Sequence, residues 1–252
     1  MTFCLGITVE EGLVGIADTR ITAGHEMTTA QKLTTFQVEG GVLFFMTSGL
    51  RSVRDKVATY FEEALESGPA PGKLHKAVNL LADIVRRVAK EDKEYLDEAG
   101  LCFNIHLLVG GQFSGDATHK LYLIYPQGNW VEIGAGTPYH IIGETGYGKP
   151  VLDRTLKHGD SIHFALKVGC LAFDSTRISA AGVDFPLDVV LYTKGSFELV
   201  EHRFEQADLA HISTWWQERL REGVQALPSE WIEAIAARLS PVKRGGRGAR
   251  KE

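Results

Sequence analysis

The sequence predicts an α+β fold in which two mostly antiparallel sheets pack together, helices cover both outer faces, and a helical extension follows. Three observations lead there. Strand-like segments come in blocks and helices in pairs, whereas a parallel α/β sheet would alternate them. Strand candidates such as GLVGIAD and VLFFMTS are apolar on both faces, as strands covered on both sides must be. The 252 residues, 44% hydrophobic and 23% charged, suit one large domain or a domain with an appendage.

The elements follow in order. Residues 3–9 (FCLGITV) are an apolar run of strand type. Gly12 marks a turn, and 13–17 (LVGIA) form a second run ending at Asp18, so a hairpin begins almost at the first residue. Residues 19–31, rich in Thr, Gly and Ala, read as a loop. KLTTFQV (32–38) and VLFFMT (42–47) flank Glu39-Gly40-Gly41 as a second hairpin. Gly49 opens a helical stretch, since Val53, Val57, Tyr60, Phe61, Ala64 and Leu65 recur at spacings of three and four across 51–66. SGPAPG (67–72) breaks it. Leu74, Ala77, Val78, Leu81, Ile84, Val85 and Val88 then form a second amphipathic helix. Strands are predicted at 103–109, 119–125 and 129–134, and a helical region at about 150–178 with a break near Gly159. Two last strands, 187–193 and 197–203, flank Lys194-Gly195-Ser196. Over 205–239, Trp215, Trp216, Leu220 and Val224, then Trp231, Ile235 and Leu239, give apolar stripes on two helices joined near Pro228. The expected organisation is a domain at 2–204, a helical extension at 205–240 and a disordered basic tail at 241–252.

Composition narrows the function. A net charge of −5 gives no general reason to expect nucleic acid or membrane partners. No long uncharged apolar run marks a membrane helix. MTFCLGITVEE lacks a basic segment and signal-type apolar core, so a cytoplasmic location is expected. Cys4, Cys102 and Cys170 are widely spaced, which points to reduced thiols and away from a metal or redox pair.

The chemistry gathers at the start of the chain. A hydroxyl is a poor nucleophile without an adjacent base. A free α-amine, with a pKa of roughly 7.7–8.0, is such a base. If Met1 is removed, Thr2 carries both groups on one residue. Asp18 ends the second strand, near the start of the first, and Lys32 begins the third. A lysine beside the amine would lower its proton affinity by like-charge repulsion, and Asp18 would hold that lysine in place. Gly49, where a strand passes into a helix, would offer a backbone N–H to an oxyanion.

Thr2, the hairpin GLVGIADTRITAG, Lys32-Leu33 and the passage MTSGL resemble the proteasome β-subunit pattern in order and approximate spacing. The resemblance covers about residues 2–204 and implies an N-terminal-nucleophile hydrolase domain with an αββα sandwich. It implies Thr2 as nucleophile, Lys32 and Asp18 as its electrostatic partners, Gly49 as oxyanion donor and Thr22 as a substrate-backbone contact. IGAGTPY (133–139) resembles the family's Gly-Ser-Gly turn, with Ala135 in place of the serine, and FDST (173–176) resembles its Asp-containing helix end. Asp174 fits there; the serine falls on Ser175 or Ser179, or is unfilled. Thr47 and Arg51 are candidates for the wall facing the substrate. The C-terminal extension, DTRITAG and the FDST/FPLDVVLY region are similar to the bacterial Anbu group of proteasome homologues, which assemble into rings or open helical turns.

The expected function is a threonine-type peptidase or amidohydrolase, self-assembled as a homo-oligomer, acting on peptide or protein without cofactor or metal. Two alternatives stand beside it. One is an assembly subunit with little or no turnover, favoured by Ala135. The other is a peptide-processing amidase of narrow specificity. No partner unfoldase is evident from the sequence.

Overall fold

The computed structural model describes residues 2–23 and 26–238. The first hairpin pairs β1 (Phe3–Val9) with β2 (Gly12–Asp18), and both strands are buried along their whole length. Residues expected as loop instead hold a two-stranded ribbon, β3 (Arg20–Ala23) with β4 (Glu26–Thr29). The ribbon joins neither large sheet, so its residues carry no apolar alternation to announce it. β5 (Leu33–Val38) and β6 (Gly41–Gly49) form the second hairpin. Two helices follow, α1 (Arg51–Ser67) and α2 (Leu74–Glu98). The second outruns its apolar periodicity by ten residues. AKEDKEYLDE is charged around the helix, and its Ala, Lys, Glu and Leu residues favour helix without a buried face.

Next come β7 (Ile105–Phe113), β8 (Lys120–Ile124), β9 (Trp130–Glu132) and β10 (Tyr139–Gly143). The last of these was not anticipated, because five residues behind Pro138 give too short a pattern to read. α3 (Lys149–Thr155) and α4 (Ile162–Ser179) lead into β11 (Leu187–Thr193) and β12 (Leu199–Phe204). The chain ends in α5 (Gln206–Gln225) and α6 (Glu230–Ala236). The expected basic tail, 241–252, and Leu239 lie outside the described residues.

The strands make two five-stranded antiparallel sheets, ordered β10-β1-β2-β11-β12 and β5-β6-β7-β8-β9. Three apolar layers hold the stack together. Phe3, Leu5 and Ile7 of β1 pack with Ala165, Val168 and Phe173 of α4. Leu43 and Phe45 of β6 pack with Val57 and Phe61 of α1 and Leu81 and Val85 of α2. Between the sheets lie Cys4, Leu13, Phe44, Met46, Leu108, Leu121 and Tyr192. The inner strands β1, β2, β6 and β7 thus feed alternate side chains to two cores, which explains why they read as continuous apolar runs. This is the four-layer αββα sandwich.

The chain divides into one compact unit ending at Ser213 and a second beginning at Thr214. In the second unit, Trp215, Leu220, Val224, Leu227, Trp231 and Ile235 are exposed. Among the described residues no helix is long and apolar enough to cross a membrane.

Candidate active site

β1 and β2 run antiparallel with Cys4 opposite Ala17, so the start of one strand and the end of the other share an edge of the sandwich. Asp18 lies there, fully buried. Its Oδ1 accepts hydrogen bonds from the Phe3 N–H at 2.7 Å and from Lys32 Nζ at 2.7 Å. Lys32 stands just ahead of β5, in the opposite sheet, and its Nζ also donates to the Arg20 carbonyl at 2.7 Å. One lysine therefore spans the two sheets at this edge, and neither charged side chain meets solvent. A buried ion pair is costly to desolvate and is weak evidence of stability, so a site with a task is the better reading of it. Burial pushes the Asp18 carboxyl above its ordinary pKa, while Lys32 and the Phe3 N–H pull it back.

Phe3 points into the core under α4 and Cys4 into the core between the sheets. By the two-residue alternation of a strand, half-buried Thr2 shares the face of Cys4, toward the second sheet. The Thr2 carbonyl accepts from the Glu144 N–H at 2.7 Å. This contact comes from β10, where Gly143 stands opposite Phe3 with φ of 93°. A Cβ at Gly143 would lie 2.0 Å from the Thr2 carbonyl oxygen, so only glycine lets the strand close onto Thr2.

The turn beside Thr2 is therefore Gly143-Glu144-Thr145-Gly146, and the assignment of IGAGTPY to that place is corrected. β10 runs with Tyr139 opposite Ile7, and the Pro138 carbonyl accepts from the Thr8 N–H. Gly134, Ala135 and Gly136 thus precede the end of β10 remote from Thr2. A second glycine-rich stretch, GETGYG (143–148), begins at the last residue of β10 and supplies this turn.

β6 supplies the opposite wall. The Thr47 N–H donates to the Lys32 carbonyl at 2.9 Å, and the Thr47 carbonyl lies 3.7 Å from Cys4 Sγ. Thr47 falls in step with Leu43 and Phe45, on the helix side, whereas Ser48 falls in step with Phe44 and Met46, between the sheets. Ser48 is thus the hydroxyl on the face of Thr2. Gly49 does not open the helix as expected. It closes β6 opposite Ile105 with φ of 116°, and the helix starts at Arg51. A Cβ there would come within 2.1 Å of the Asn104 carbonyl oxygen. The Cys4 thiol is pushed up to about 12, mainly by burial, and is inert as a nucleophile at neutral pH.

The other expected residues lie on α1, α4 and β3. Arg51 is exposed on α1, paired with Asp55 at 3.3 Å. Asp174 is buried on α4, with Oδ1 held by Arg177 at 2.8 Å. The Arg177 guanidinium lies over the Phe185 ring. Ser179 ends α4 exposed, and Ser175 is half-buried on the same helix. Thr22 stands in β3 opposite Met27; its side chain lies outside the described residues. One buried side chain near the pair went unread: Arg54 of α1, whose Nη2 lies 3.5 Å from the Gln31 carbonyl.

No protein-family model and no curated protein matches the sequence. Solved structures do. An Anbu Gly-1 mutant from Hyphomicrobium sp. strain MC1 is 30% identical, with TM-score 0.82, over 90% of this chain and 98% of that one. Anbu from Yersinia bercovieri, described as an ancestral β-subunit, is 30% identical with TM-score 0.81, over 90% and 97%. The Anbu complex from Pseudomonas aeruginosa, described as a helical assembly, is 30% identical with TM-score 0.83, over 90% and 97%. With this identity and this likeness of fold along nearly the full length of each relative, the chain belongs to the Anbu family of proteasome β-subunit-like proteins.

Proposed function

We propose that this chain is a threonine-type peptidase or amidohydrolase that works as a self-assembled oligomer. Removal of Met1 frees the Thr2 amine. The amine takes the hydroxyl proton, directly or through a water, and Thr2 Oγ1 attacks a peptide or amide carbonyl. Gly49 is the proposed donor to the resulting oxyanion. The amine then gives its proton to the leaving nitrogen, an ester remains on Thr2, and water hydrolyses it. Lys32 lowers the proton affinity of the amine, and Asp18 keeps Lys32 in place.

The observation that carries this reading is the solvent-free Asp18–Lys32 pair, anchored to the Phe3 N–H one residue from Thr2. Self-assembly is supported by the helical assembly of the Pseudomonas relative and by the exposed tryptophans of the second unit. The test is hydrolysis of a panel of fluorogenic peptide amides by two preparations, one starting at Thr2 and one keeping Met1. Turnover by the first alone, lost in Thr2→Ala, is expected. Equal turnover by the Met1-retaining chain would sink the role of the free amine.

One observation favours a second reading, an assembly subunit with weak turnover. The turn that meets Thr2 carries Glu144 where the resemblance implies a serine, so the hydroxyl implied there is missing. Clean Met1 removal with no turnover on any substrate of the panel would support it.

A further inference from the structure

Arg54 occupies a position that the helix pattern reserves for an apolar residue. Leu50, Arg54, Val57 and Phe61 recur at spacings of four, three and four, the stripe by which α1 faces its sheet. The side chain follows that pattern inward and is only 4% exposed. A guanidinium has five N–H donors. This one has a single contact at the limit of hydrogen bonding, to the Gln31 carbonyl at 3.5 Å, and its Nε finds no partner among the described residues. A charge buried with so few partners is expensive, and packing alone would be better served by leucine.

The location suggests what the charge does. Gln31 is the neighbour of Lys32, and the field of Arg54 reaches Cys4 and Asp18. The buried charges that act on Cys4 are two cations, Lys32 and Arg54, and two carboxylates, Asp18 and Asp188. Asp188, the next carboxylate in range of Cys4, is neutralised by Arg203 through two hydrogen bonds of 2.6 and 2.9 Å. Asp55 and Arg51, which also face Arg54, are exposed on α1 and paired with each other. Glu144, half-buried in the turn that meets Thr2, accepts from the Gly146 N–H at 3.4 Å, and Asp174, buried on α4, is held by Arg177 at 2.8 Å.

We propose that Arg54 is a positioning residue of this site: a second buried cation that leaves an excess positive field over Thr2, lowering the proton affinity of its free amine. This rests on the reading of Thr2 as an N-terminal base. Burial draws the guanidinium's pKa down from its ordinary value, yet an arginine starts so far above neutrality that it stays charged. Asp18 Oδ1 is taken by Lys32 and the Phe3 N–H, and no hydrogen bond joins Arg54 to Asp18 among the described residues, so Arg54 acts through the field without contact.

The test reads the amine itself. Full-length chain starting at Thr2 is reductively methylated at the α-amine with labelled formaldehyde and titrated by NMR, folded and in urea. In the folded wild type the amine should titrate below its value in urea. Arg54→Met should raise it by about one pH unit, a tenfold loss of neutral amine on the acid limb, and Arg54→Lys should keep it near wild type. A folded Arg54→Met protein with an unchanged amine overturns the proposal. If that variant does not fold, the wild type decides: an amine that titrates no lower folded than in urea also overturns it. A depressed amine in a protein without turnover removes the hydrolase reading and keeps this one. Turnover with no shift in Arg54→Met does the reverse.

Discussion

Lys32 carries its charge where water does not reach it, and that fixes what its loss should do. Removing one partner of a buried pair strands the other, at a cost of about 3–5 kcal/mol. Lys32→Met leaves Asp18 with burial pushing its carboxyl up and no lysine to oppose it. A carboxyl whose folded pKa is raised favours the fold below its ordinary pKa and loses that contribution as pH rises through the raised one. Relative to wild type, Lys32→Met should therefore be weakest at neutral pH and recover on acidification, as read by urea unfolding at several pH values. A variant as stable as wild type at neutral pH would show that the pair is not buried as described. At this scale the sequence was informative where chain order put residues together. Asp18 and Lys32 were legible because they end and begin strands beside the first residues. Arg54 was not, because a single arginine among the apolar residues of a helix reads as a long side chain reaching solvent, and only the fold shows it buried.

Among the elements, β10 decides how Thr2 is held. Gly143→Ala must leave the positive-φ region or push the Thr2 carbonyl away, at a strain of ~1–3 kcal/mol. Covalent labelling of Thr2 should slow by at least about tenfold, while far-UV circular dichroism stays that of the folded chain. Wild-type labelling in this variant would mean that the β10 turn does not position Thr2. The helix pair tests a different force. Glu91 of α2 meets Lys56 at 2.8 Å, Arg87 at 2.9 Å and the Tyr60 hydroxyl at 3.1 Å, and these contacts hold its carboxyl down at about 2. A depressed folded pKa contributes stability above the ordinary value and loses it as pH falls through the folded one. Glu91→Gln should lower Tm slightly at neutral pH, and the gap should close as pH falls from about 4.5 toward 2. A gap that stays constant over that range would assign the effect to something other than the charge. Most elements were readable from apolar periodicity, and those missed were too short to show it: β3 and β4 have four residues each and β10 has five. Only the register of β10 shows which glycine-rich turn, IGAGTPY or GETGYG, returns to Thr2.

For the whole molecule, the blocks of doubly apolar strands already specified two sheets under helical cover. Sequence could not specify which edge of that sandwich would collect the chemistry in detail. The second unit's exposed Trp215 and Trp231 are expected to serve assembly, so a Trp215→Glu, Trp231→Glu chain should sediment as a smaller species than wild type at equal concentration. Identical sedimentation would place the contacts elsewhere. The central claim, that Thr2 works as an N-terminal nucleophile, is tested most directly by an epoxyketone, which needs a hydroxyl and a free α-amine on one residue. Intact and peptide mass are recorded after treatment. A single adduct on a chain that begins at Thr2 is the expected result; complete loss of Met1 with no adduct at any concentration would contradict it.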